Sequence, residues 1–228
     1  MFSRAVTCSP STLNFDRGVV SRTLAERAAG RVVRTTLGSP GYVISASTAP
    51  PLLLDFVEKG DIYSHSEQGT IGFQQEYRIA PDGTPVLYRA KIDAHVSAFA
   101  TDGATMFWVE SYGGPNPKSA PTTIDVWAAP YTSDSATLSA TARKLVSSLQ
   151  RVGPPEASIA FGGLFAFWSP PNVIIVRASD GAFTEVPPPA GLEFYRLAFV
   201  TPTELWATSR IPNRSGGVTF RRMGLGTW

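Results

Sequence analysis

Short apolar runs alternate with tight-turn residues along most of the chain. Four of these runs centre on a large aromatic residue, and each follows a turn: Ile62-Tyr63, Phe107-Trp108, Phe167-Trp168 and Leu205-Trp206. The turns include Asp102-Gly103 and Gly162-Gly163, residue types that adopt the positive φ required in a tight hairpin. A second apolar run precedes each of the last three turns, with Tyr42-Val43-Ile44-Ser45 as its counterpart in the first copy. The pattern therefore predicts four β-hairpins.

Two further runs extend the predicted hairpins towards four-stranded units. The third run is apolar, as in Val173-Ile174-Ile175-Val176, and the fourth is more polar, as in Arg143-Lys144-Leu145-Val146-Ser147. Strands buried on both faces read as apolar runs, whereas an outer strand faces solvent. The anchors Tyr63, Trp108, Trp168 and Trp206 stand 45, 60 and 38 residues apart, which matches propeller blades. We therefore predict an all-β fold, a β-propeller-like array of about four four-stranded antiparallel blades.

The ends of this array leave two arrangements open. The last copy has no evident fourth strand, and the polar run Arg31-Val32-Val33-Arg34-Thr35 has the composition of one. Pairing between them would close a small ring; otherwise the array is part of a larger propeller. Residues 1–30 depart from the repeat and are predicted as a leader, partly disordered or with a short helix, so that the β domain spans residues 31–228.

The composition suits a globular β domain. Hydrophobic residues make up 43% and charged residues 17%, and the 20 Gly and 19 Pro fit many short strands and turns. The single cysteine, Cys8, excludes an internal disulfide and a cysteine-based zinc site. No apolar run approaches the roughly 20 residues of a membrane span. No signal peptide is evident, which predicts a cytoplasmic protein, or a periplasmic or secreted one if the N-terminus is incomplete. We expect a monomer.

Charge is distributed unevenly along the chain. The net charge is only +2, yet both ends are basic and the middle is acidic. Because the total is near neutral, we expect no nucleic-acid partner. The arginines of the two ends, among them Arg22, Arg31 and Arg34 with Arg214, Arg221 and Arg222, have two interpretations. They form a joint patch for an anionic partner, or they keep sheet edges from pairing.

The repeated order of apolar strand, Asp-Gly or Gly-Gly turn, Phe-Trp strand and Ile-x-Val strand resembles bacterial β-propeller proteins of the TolB-like and related WD40-like groups. The resemblance lies in the blade pattern and covers roughly residues 40–225. It implies architecture only, because propellers host enzymes, ligand binders and scaffolds alike. Propellers of these groups commonly have six or seven blades, which implies the alternative of an incomplete fragment without independent function.

Few residues carry recognisable chemistry. The insertion 113–121 is the longest departure from the repeat, and Gly113, Gly114, Asn116 and Lys118 are its candidate binding residues. His65 and His95 stand at the ends of predicted strands, where a histidine is more often structural than a ligand. The sequence has neither a Gly-x-Ser-x-Gly elbow nor a phosphate-binding loop. We therefore predict no catalytic residue, metal or cofactor.

These observations favour a non-enzymatic module that binds a protein or peptide partner through loops at one end face of the array. The alternative is an enzyme or small-ligand binder that uses a central pocket, with His65 and His95 among its lining residues.

Overall fold

A computed structural model describes residues 34–38, 41–45, 52–66, 75–80, 84–91, 93–113, 121–152, 155, 157–213 and 217–226. The first six strands are β1 (Arg34–Gly38), β2 (Gly41–Ser45), β3 (Leu52–Glu58), β4 (Asp61–Ser66), β5 (Gln75–Ile79) and β6 (Pro85–Arg89). The following strands are β7 (His95–Thr101), β8 (Thr105–Tyr112), β9 (Pro121–Pro130), β10 (Arg143–Val152), β11 (Ala157–Phe161), β12 (Leu164–Ser169), β13 (Asn172–Arg177), β14 (Phe183–Val186), β15 (Glu193–Val200), β16 (Glu204–Arg210) and β17 (Thr219–Gly224). One short helix, α1 (Ser135–Thr141), lies between β9 and β10.

The strands form four antiparallel sheets in chain order. The first sheet holds β1 to β6, the second β7 to β10, the third β11 to β14 and the last β15 to β17. The chain divides into two compact units, residues 1–88 and 89–228, so that Arg89, the final residue of β6, belongs to the second unit. The predicted all-β array of antiparallel blades is confirmed. Among the described residues the last sheet has three strands, as the sequence indicates.

One expectation for the first sheet is wrong. The sequence places residues 42–45 directly before the β4 hairpin, whereas the strand that precedes it is β3, and residues 42–45 lie in β2 and extend the sheet beyond β3. Of the run 31–35, Arg34 and Thr35 lie in β1 and pair with Ser45 and Ile44; its pairing with the last copy stays a prediction. Only two residues separate β1 from β2, and closing so short a loop costs less chain entropy than closing a longer one. Residues 1–33 lie outside the described part.

The second and third sheets pack face to face. Phe107 and Val126 of the second sheet belong to one apolar cluster with Phe165 and Phe167 of the third, and all four side chains are completely buried. The rings of Phe107 and Phe165 stack 5.2 Å apart. Burial of each such side chain contributes about 1.5–3 kcal/mol, so this contact fixes the two sheets against each other.

The third sheet is also covered on its other face. There Trp168 and Ile175 pack against Phe194 and Leu205 of the last sheet. Because β12 and β13 are buried on both sides, they read in the sequence as continuous apolar runs. Leu205 faces this core, so its neighbour Trp206 lies on the opposite face of the last sheet.

The helix α1 was not expected from the sequence. Its N-cap is Asp134, whose Oδ2 accepts a hydrogen bond from the Thr137 amide at 2.7 Å, and its only buried residue is Leu138. Seven residues are too few for a stable isolated helix, so the cap and this apolar contact hold it in place. No helix in the described ranges has the length and apolarity to cross a membrane.

Candidate functional site

The predicted binding loop lies almost wholly outside the described residues. Gly113 follows β8 directly and is half-buried, whereas Gly114, Asn116 and Lys118 fall in the undescribed segment. The loop 113–121 therefore stays a prediction.

The two histidines lie in different units. His65 is in β4 of the first unit, and His95 begins β7 of the second, where it pairs with Ser111 of β8. Each histidine is therefore described with its own sheet, and their joint site stays a prediction.

His65 belongs to a carboxylate–imidazole cluster that sequence reasoning missed. Its Nδ1 is 2.8 Å from Oδ1 of Asp55, which occupies a bulge in β3 between Leu54 and Phe56. A bulge inserts an extra residue into a strand and so re-aims a side chain. On the other side, His65 pairs directly with Glu76 of β5. Three adjacent strands thus bring two carboxyl groups and an imidazole together.

Glu76 is the unusual member of this cluster. It is completely buried. Burial raises the pKa of Glu76 well above its usual value, and the nearby charge of Asp55 and a hydrogen bond between the two carboxyl groups raise it further. The described residues contain no group of three or more histidine, cysteine or acidic side chains arranged to hold a metal ion. The cluster is therefore a hydrogen-bonded Asp55–His65 pair beside a carboxyl group that favours its neutral form.

A second buried carboxylate, Glu110 of β8, lies in the second unit. Its Oε1 accepts hydrogen bonds from Arg89 Nη2 at 2.6 Å and Trp108 Nε1 at 3.2 Å, and its Oε2 accepts one from the Tyr112 hydroxyl at 2.8 Å. The Nζ of Lys91 is 3.7 Å away. Burial alone would raise the pKa of Glu110, but the hydrogen bonds from Arg89 and Tyr112 outweigh it and hold the pKa below its usual value.

The surroundings of Glu110 indicate a structural role. The rings of Phe99, Trp108 and Trp127 form a ladder across the second sheet, with successive centroids 5.4 and 6.3 Å apart. Phe99, Trp108 and Glu110 are all buried. A carboxylate enclosed in this way and satisfied by several donors links strands and does not meet a partner.

The last sheet, in contrast, has an accessible edge. β17 pairs with β16 on one side, and no strand in the described ranges pairs with its other side, here called the free edge. All six residues of β17 are exposed or half-buried. The amide of Leu225 donates to the carbonyl of Thr203 at 2.7 Å, so Leu225 directs its main-chain N–H towards β16. Since main-chain groups alternate sides along a strand, those of Phe220, Arg222 and Gly224 point to the free edge.

One face of the last sheet combines aromatic and charged side chains, and we call it the outer face. The rings of Trp206 and Phe220 lie 5.5 Å apart, and the guanidinium of Arg222 lies 5.8 Å from the Trp206 ring. Glu204 accepts hydrogen bonds from Arg222 Nε at 2.8 Å and Trp206 Nε1 at 2.9 Å. The indole N–H and the guanidinium lower the pKa of Glu204, so it is ionised at neutral pH.

The outer face and the free edge remain open to solvent. Phe220 is 54% exposed, Val218 just before β17 is 50% exposed, and the Arg222 side chain is 64% exposed. A cleft of about 190 Å³ lies at the end of β17, lined by Thr184 to Pro187 of the third sheet and by Gly224 to Gly226. The sequence signals for this site were the missing fourth strand and the basic segment 196–222, but they did not show which residues face solvent.

The basic character of the last sheet is only partly neutralised. Residues 193–226 contain five arginines and two glutamates, a net charge of +3. The two glutamates pair with Arg210 and Arg222. Arg221 donates from its Nε to the Ser209 hydroxyl at 2.9 Å and, within the described chain, forms no ion pair. The free edge therefore carries an excess of positive charge.

No protein-family model and no curated protein matches the sequence. Among solved structures, a chain of a nidogen/laminin complex is similar with a TM-score of 0.46 and 16% identity over 82% of this chain and 73% of that chain. An α-L-arabinofuranosidase from Fusarium graminearum with an iminosugar inhibitor has a TM-score of 0.46 and 17% identity over 76% of this chain and 56% of that chain. The tricorn protease has a TM-score of 0.29 and 18% identity over 73% and 15% of the two chains.

Proposed function

We propose that this chain is a non-enzymatic protein-binding module, and that it binds a polypeptide partner at the free edge and outer face of its last sheet. The observation that carries the proposal is the exposed strand β17, which joins unpaired main-chain groups to the solvent-exposed side chains of Phe220 and Arg222. Exposed sheet edges next to apolar side chains are established sites for polypeptide recognition.

The buried groups give less support to an enzyme. Glu110 is enclosed and satisfied, and Glu76 is buried away from solvent. The cleft at the end of β17 is lined by one acidic side chain, Glu185, which already pairs with Arg151 at 2.5 Å. A general acid or base must reach its substrate, and these carboxyl groups are either covered or engaged.

The proposal is tested by selection from a phage-displayed library of random dodecapeptides on the immobilised protein. We expect enriched peptides that bind the wild type and lose binding to the variant Phe220→Ser. The matched control is Phe161→Ser, which removes a 50% exposed phenylalanine at the β11–β12 turn of the third sheet. Each variant is first checked for the wild-type unfolding midpoint.

Two outcomes would contradict the proposal. One is a selection that enriches no peptide over an unrelated immobilised protein. The other is a set of peptides whose binding falls equally in Phe220→Ser and Phe161→Ser, since that result would place the contact elsewhere.

The loop 113–121 is a second proposed contact region for the same partner. It is the longest insertion in the repeat, and loops of this kind often carry recognition. Replacing Asn116 and Lys118 by alanine in the same selection tests it, and unchanged peptide binding would remove the loop from the site.

A further inference from the structure

We infer that the partner at the last sheet is an extended acidic segment that adds to β17 as a fourth, antiparallel strand. This inference rests on the proposed function and names the chemistry of the partner and its mode of binding. It draws on three features of β17: the direction of its main-chain groups, its charge, and its exposed apolar side chains.

The direction of each main-chain N–H and C=O group of β17 determines how a further strand would pair with it. Phe220, Arg222 and Gly224 direct both their N–H and C=O groups to the free edge, because the Leu225 amide bonds to Thr203 on the opposite side. An antiparallel partner residue opposite each of these three would therefore exchange two hydrogen bonds with it. The partner residue opposite Arg221 would direct its own amide away from β17.

Charge selects an acidic partner. Directly opposed residues on neighbouring strands have Cβ atoms roughly 4.5–5.5 Å apart, within reach of a Glu–Arg contact. Arg221 and Arg222 are consecutive and lie on opposite faces of β17. A partner with two consecutive acidic residues would thus meet one arginine on each face.

The same arginines disfavour a second copy of this chain as the occupant. Two antiparallel pairings of β17 with a second copy have equal and greatest overlap, one centred on Arg222 and the other on Arg221. Either would place the same arginine of the two copies opposite itself, and like charges in this position are destabilising. Charge on the edge therefore suppresses self-pairing while it attracts an acidic strand.

The apolar side chains set the flanking positions. Phe220 is exposed on the outer face beside Trp206, so an aromatic residue opposite it would cover apolar surface. Met223 packs against the core shared with the third sheet, and an aliphatic residue opposite it would lie beside the cleft at Gly224 and Leu225. Read from N- to C-terminus in the antiparallel sense, the preferred segment is aliphatic, acidic, acidic, aromatic.

The test uses the full chain and the fluorescein-labelled hexapeptide Thr-Val-Glu-Glu-Phe-Thr, with binding followed by fluorescence anisotropy. We expect the Glu-Glu peptide to bind at least about tenfold more tightly than Thr-Val-Lys-Lys-Phe-Thr, with a difference that shrinks at high salt. N-methylation of the glutamate opposite Arg222 should weaken binding by about tenfold, because it removes an amide directed into β17. N-methylation of the glutamate opposite Arg221 should have a much smaller effect.

A charge-reversal experiment distinguishes loss of the contact from misfolding of the variant. Arg222→Glu should lose the Glu-Glu peptide and gain a peptide with lysine in place of the glutamate opposite residue 222. Equal effects of the two N-methylations, or equal binding of the Glu-Glu and Lys-Lys peptides, would overturn the strand-addition inference. If no hexapeptide binds while library peptides bind in a Phe220-dependent way, this inference fails and the proposed function stands; if the library also enriches nothing, the proposed function fails.

Discussion

Replacement of Glu110 by glutamine probes the buried network of the second unit. The glutamine amide has the size of the carboxyl group but no charge. Arg89, whose side chain is only 14% exposed, then loses the carboxylate that lies 2.6 Å away. Removing one partner of a buried ion pair costs about 3–5 kcal/mol, because the other charge remains desolvated. For a unit of this size, that loss corresponds to a fall in Tm of roughly 10–17 °C.

The assay is urea denaturation at pH 7 followed by tryptophan fluorescence, with Glu193→Gln as the matched control. Glu193 also accepts a hydrogen bond from an arginine, Arg210, at 2.7 Å, but the side chains of Glu193 and Arg210 are 30% and 37% exposed. Solvent-exposed pairs contribute about 0–1 kcal/mol, so the control should be nearly neutral. A Glu110→Gln variant within about 1 kcal/mol of the wild type, or a control destabilised equally, would refute the assignment of Glu110 as a buried structural carboxylate.

The pH dependence follows from the lowered pKa of Glu110. Folding favours the carboxylate form of Glu110, so the ionised group adds to the free energy of unfolding at any pH above the pKa of glutamate in the unfolded chain. This stabilisation is lost as the pH falls through the lower pKa of Glu110 in the folded protein. The stability difference between wild type and Glu110→Gln should therefore shrink below pH 4.5, the usual value for glutamate. A difference that stays constant down to pH 3 would contradict this sign.

Two other substitutions test the first unit and the second unit. The pKa of Glu76 is raised in the folded protein, so ionisation of this buried carboxyl group destabilises the fold as the pH rises above 4.5. Glu76→Gln removes that cost, so the Tm of the variant should gain on the Tm of the wild type between pH 4 and pH 8. A variant that loses ground to the wild type as the pH rises would contradict the assigned sign. Gly181→Ala should destabilise by more than Gly191→Ala, because both have φ of +74° but only a Cβ at Gly181 would overlap the carbonyl oxygen of Leu145. An alanine at this positive φ costs about 1–2 kcal/mol at either position. Equal urea midpoints for the two variants would show that the overlap with Leu145 adds nothing to that cost.

The sequence predicts hairpins best where a turn imposes its own geometry. At Asp102-Gly103, Gly103 has a φ of +87° and Asp102 Oδ1 accepts the Thr105 amide at 2.7 Å, so the turn is encoded locally. Gly162 and Gly163 both have positive φ, as their predicted turn requires. Apolar runs such as Val173 to Val176 identify strands buried on both faces. These elements depend on short stretches of chain.

The remainder depends on contacts distant in sequence. The helix α1 has no strong helix formers apart from alanine and leucine, and its cap at Asp134 is visible only once the loop is folded. The buried Glu110 depends on Arg89, 21 residues away, and the Asp55–His65 pair depends on a bulge that no local pattern announces. The repeat pattern does not single out β3, because residues 42–45 match it equally well.

Main-chain hydrogen exchange along β17, resolved by residue with NMR, tests the free edge most directly. In the free protein, the amides of Thr219, Arg221 and Met223 should be protected by β16, and those of Phe220, Arg222 and Gly224 should exchange rapidly. Addition of the Glu-Glu hexapeptide should protect the second set. Protection of all six amides before the peptide is added would contradict the free edge, and rapid exchange at Phe220, Arg222 and Gly224 under saturating peptide would contradict strand addition.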